Sequence, residues 1–72
     1  QQQENEEIKQ FVKTYTEMKP KAAAEIFEEM TSDLAQVSRI LKAMTAEQRS
    51  KILEAMDAEI AARLTKMMDP DS

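Results

Sequence analysis

Residues 40–68 read ILKAMTAEQRSKILEAMDAEIAARLTKMM, in which Met44, Met56 and Met68 recur at intervals of twelve. Four and three places before each stands a pair: Ile40 with Leu41, Ile52 with Leu53, Leu64 with Thr65. Spacings of three and four put such a pair and its methionine on one side of a helix, so each block reads as one short amphipathic helix. Thr45 and Asp57, directly after the first two methionines, offer oxygens to the unpaired amides of the next first turn. Thr45 with Gln48 has the spacing of a capping box.

The pattern continues upstream. Ile26 and Phe27 precede Met30 in the same way, and Met18 precedes Lys19-Pro20, where proline suits a first helical position. Thr31 or Ser32 is the expected cap of the helix after Met30. The expected buried faces are Ala23, Ile26, Phe27 and Met30; Leu34, Val37, Ile40, Leu41 and Met44; Ile52, Leu53 and Met56; and Ile60, Ala61, Leu64, Met67 and Met68. Helices of about eleven residues, each about 16 Å long, are marginal alone and depend on burying one face against neighbours. Connections of one to three residues favour a stepwise right-handed superhelix over long antiparallel overlaps.

Ahead of Pro20 lies a longer, more polar helix, expected from about Glu4 to Met18. Its stripe of Ile8, Phe11, Tyr15 and Met18 fits the a and d positions of a coiled coil, and the start QQQENEE reads as the cut end of a longer linker or coiled coil. The expectation is an all-α chain of five helices. Residues 1–18 form the end of a linker or coiled coil with the first helix, and residues 19–72 form an interaction domain of four short ones.

Composition agrees. The 72 residues include no Gly, Cys, His or Trp, and 42% are apolar, more than half of these Ala or Met. Without glycine, tight hairpins and left-handed helix caps lose their usual residue. Without His or Cys there is no common zinc site, no thiol nucleophile and no Ser-His-Asp triad, so catalysis and cofactors are not expected. Ten basic against fourteen acidic residues, for a net charge of −4, argue against nucleic acid as a partner. No apolar run reaches the roughly 20 residues a membrane-spanning helix needs, so this stretch does not insert by itself.

The methionine series is most simply a set of helix-end core residues. Met67 and Met68 point about 100° apart, so one of them is an interface candidate. Glu25, Glu28, Glu29 and Asp33 are candidate ligands for a hard divalent cation, against the plainer reading of a solvated face. Phe27 is expected in the core. Phe11, Tyr15 and Met18 either complete that core or form the seam of a homodimer through the first helix.

The stretch Tyr15 to Met30, then Ile40-Leu41 with Met44, Lys51 to Asp57 and Ala61 to Thr65, resembles a known helical module. It is similar to the intracellular N-terminal domain of MgtE-type magnesium transporters, and more closely to the C-terminal domain of flagellar motility proteins of the MotE and YlxF type, with looser kinship to the middle domain of the flagellar switch protein FliG. The resemblance spans roughly residues 12 to 69 and departs from the usual pattern at Ala58, where the family often has proline. It implies a non-catalytic protein-protein interaction module with a flagellar or motor component as partner, anchored to a membrane through a segment outside this stretch. The alternative it implies is a cytosolic magnesium-sensing regulatory domain of a transporter. A helical spacer is the third reading.

Overall fold

The computed structural model describes residues 2–69, with side chains from Glu6 onward. Five α-helices follow in order: α1 Gln2–Thr16, α2 Pro20–Glu29, α3 Leu34–Lys42, α4 Ala46–Glu54 and α5 Ala58–Met68, with a 3₁₀ turn at Thr31–Asp33 between α2 and α3. No strand occurs among the described residues. The all-α, five-helix expectation holds.

The connections show why these boundaries fall where they do. Lys19 is extended, as a residue before proline is, and Pro20 opens α2 at a position whose amide needs no partner. That break ends α1 at Thr16 rather than at Met18, and the Met18 amide closes the chain back onto the Tyr15 carbonyl. Thr45 caps α4 with a complete box, its hydroxyl accepting from the Gln48 amide at 3.2 Å while the Gln48 side chain accepts from the Thr45 amide at 3.1 Å. The Asp57 carboxylate accepts from the Glu59 and Ile60 amides at the start of α5. Thr31 and Ser32 do not cap α3. Asp33 does, accepting from the Gln36 amide, because the two extra residues in the longer interval between Met30 and Met44 are taken up by the 3₁₀ turn.

No described residue has positive φ. The helices α3 and α4 instead run out through Ala43 (φ −81°, ψ −8°) and Ala55 (φ −85°, ψ −2°), whose amides bond back to carbonyls three or four residues earlier. Arg49 of α4 adds donors to the Leu41 and Lys42 carbonyls, so a cation sits at the negative end of α3.

Helices pack chiefly on the helix two places along: α1 on α3, α2 on α4 and α3 on α5, with sequential contacts between α1 and α2 and between α4 and α5. The middle helix α3 is covered from both sides and buries Val37, Ile40 and Leu41 completely or nearly so. Phe27 of α2, Ile52 of α4 and Leu64 of α5 complete the centre, with Met44 and Met56 buried at helix ends as core residues. Ile26 departs from expectation: it is exposed, while Ala23, Ala24 and Phe27 form the buried face of α2.

Candidate functional site

The first helix is drawn into the fold by Ile8, Val12 and Tyr15, at spacings of four and three, all packed against the core. The Tyr15 ring lies 4.6 Å from that of Phe27 at an interplanar angle of 50°, a tilted aromatic contact across α1 and α2. Two members of the expected seam, Ile8 and Tyr15, are therefore used inside the molecule. Phe11, one step off this stripe, is 39% exposed.

Tyr15 and Met18 meet in a groove of about 210 Å³ between the end of α1, the start of α2 and α4, lined also by Thr16, Pro20, Gln48, Lys51 and Ile52. Its apolar lining comes from Met18, Pro20 and Ile52 with the Tyr15 ring. Lys51 at the edge pairs with Glu47 at 3.7 Å on the exposed side of α4, a contact worth little because both side chains are solvated. At the other end of the chain Met68 packs on the core and Met67 is exposed, so the adjacent methionines divide as their 100° separation requires.

The acidic candidates do not converge. Among the described residues no three carboxylates are grouped so as to hold a metal ion. Glu28 accepts a hydrogen bond from the backbone amide of Asp57 at 2.6 Å, tying α2 to the start of α5 across 29 residues. This tie was not visible in the sequence, since it joins positions that no single helix period relates. The groove residues Gln48, Lys51 and Ile52 were missed for the same reason. No helix among the described residues is long and apolar enough to cross a membrane.

The sequence pattern of the MgtE intracellular N domain matches residues 3–72, all but the first two residues of the chain. The chain belongs to the MgtE intracellular N domain family. The MgtE N-domain match covers the region in which all five helices lie except the first residue of α1. No curated protein and no solved structure gives a match. The closer kinship to flagellar MotE and YlxF proteins and the looser one to FliG find no support beside the MgtE match.

Proposed function

We propose that this domain is a non-catalytic regulatory module of an MgtE-type magnesium transporter, whose acidic surface responds to divalent cation and whose contacts with a protein partner carry the response. The family match over residues 3–72 supports the reading most directly. Glu25, Glu29, Glu54, Asp57 and Glu59 are all exposed, in a chain with a net charge of −4. Magnesium retains several of its waters and takes only one or two carboxylates from a protein, so scattered acidic residues suit it better than a closed cage would. An ion held here completes its shell with water or with groups of a neighbouring domain. The flagellar context has no observation behind it.

Thermal melting in MgCl₂ against NaCl of matched ionic strength tests the reading. An ion present at its own dissociation constant stabilises a one-site fold by about 0.4 kcal/mol. At this size that raises the melting temperature by about 2–3 °C. A rise specific to magnesium, with amide shifts at the acidic residues, is the expected result. Identical melting and identical amide spectra in the two salts at millimolar magnesium overturn it.

A further inference from the structure

The repeat sets one aliphatic side chain four residues before each closing methionine: Ile26, Ile40, Ile52 and Leu64. Ile40, Ile52 and Leu64 are at most 2% exposed, whereas Ile26 is 38% exposed. Packing order explains the difference. The middle helix α3 has broad contacts with the helices two places before and after it, α1 and α5, and buries both Ile40 and Leu41. In that series α2 has α4 on one side only, and it spends its buried face on Ala23, Ala24 and Phe27.

The outer side of α5 is mixed: Thr65 is exposed, its hydroxyl bonded to the Ala61 carbonyl, and Met67 is 42% exposed. Ile26 shares a shallow, open depression with Met18 and Ala22, and Glu25, Glu28 and Glu29 border it. Glu28 is engaged with Asp57, but neither Glu25 nor Glu29 has an ion-pair partner among the described residues. Two like charges one turn apart are mutually unfavourable on a helix, and opposite charge brought to them relieves that cost.

We propose that this face of α2 docks a basic amphipathic helix of a partner polypeptide. Its apolar side chains lie over Met18, Ala22 and Ile26, in effect adding one more helix to the stack, and its Lys or Arg residues stand beside Glu25 and Glu29. The apolar strip defines the place and the two glutamates select the charge of the occupant. The inference does not depend on the cation reading, and its test is made without divalent ions.

The ¹⁵N-labelled chain is titrated with a synthetic Leu/Lys amphipathic peptide of about 18 residues, long enough to form helix on docking, and with a Leu/Glu peptide of the same pattern. The Leu/Lys peptide is expected to shift the amides of Met18, Ala22, Glu25, Ile26 and Glu29, and to bind less tightly as salt is raised. Ile26→Gln, at an exposed position, is expected to melt like the parent and to weaken binding about tenfold. The double replacement Glu25→Gln with Glu29→Gln weakens binding and flattens its salt dependence, and it decides the matter alone if Ile26→Gln melts lower than the parent. Absence of shifts, equal binding of the Leu/Glu peptide, or shifts centred on another face overturns the proposal. Concentration-dependent shifts of the same amides without peptide assign the face to a second copy of the chain and overturn it equally.

Discussion

Replacing Glu28 perturbs one bond that holds distant parts of the chain together. Its carboxylate reaches from α2 to the Asp57 amide at 2.6 Å, immediately before α5 begins. Hydrogen bonds to a charged group contribute about 1.5–3 kcal/mol, and because Glu28 is only half-buried, water competes and the lower figure of about 1.5 kcal/mol applies. For a domain of this size each kcal/mol moves the melting temperature by about 4–8 °C, so Glu28→Ala lowers it by about 6–12 °C. Glu28→Gln keeps a neutral acceptor of about half the strength, and the drop falls to about 3–6 °C. Thermal unfolding by circular dichroism reads the first quantity. Amide exchange at Asp57 reads the local effect, with exchange about tenfold faster in Glu28→Ala. A melting temperature within about 2 °C of the parent, with Asp57 exchange unchanged, refutes the reasoning, since it lies outside the range expected for a working charged bond. A Glu28→Gln variant that melts above the parent shows instead that repulsion between the Glu28 and Asp57 carboxylates outweighs the bond.

Three further substitutions test other parts of the structure. Phe27→Ala removes a fully buried ring and its contact with Tyr15; a loss of about 3–5 kcal/mol is expected, enough to leave so small a domain largely unfolded by far-ultraviolet circular dichroism. Thr45→Ala deletes the hydroxyl half of the capping box and is expected to cost about 1 kcal/mol in chemical denaturation, with the midpoint moving and the slope unchanged. Phe11→Glu, at an exposed position off the packed stripe of α1, is expected to stay within about 0.5 kcal/mol of the parent and to leave its sedimentation unchanged. A dimer that this substitution dissociates would return α1 to the role of an intermolecular seam.

The helices and most of their starts were legible because the signals are local: a methionine, a capping oxygen and a pair of apolar residues recur within one turn or two. Thr45 and Asp57 cap as their positions predict. The cap of α3 was misplaced to Thr31 or Ser32 because a 3₁₀ turn shifts the start to Asp33, and its only trace in the sequence is an interval of fourteen instead of twelve. The uncovered state of Ile26 was hidden for a different reason. Periodicity identifies the apolar side of a helix, but which of two adjacent apolar residues is covered depends on a helix two places away. The bond from Glu28 was hidden likewise, since spacing shared with Glu25 and Glu29 on one helix does not foresee that Glu28 reaches the start of α5.

The glycine-free helix junctions, with no positive φ among the described residues, have a mechanical consequence. Each joint is a three- or four-residue link without glycine, closed by carbonyl bonds and, before α3, α4 and α5, by a side-chain cap, with none of the torsional latitude that glycine supplies to a hinge. A push delivered to α2 is therefore expected to carry α4 and α5 with it, since no joint between them holds a glycine at which the body could bend.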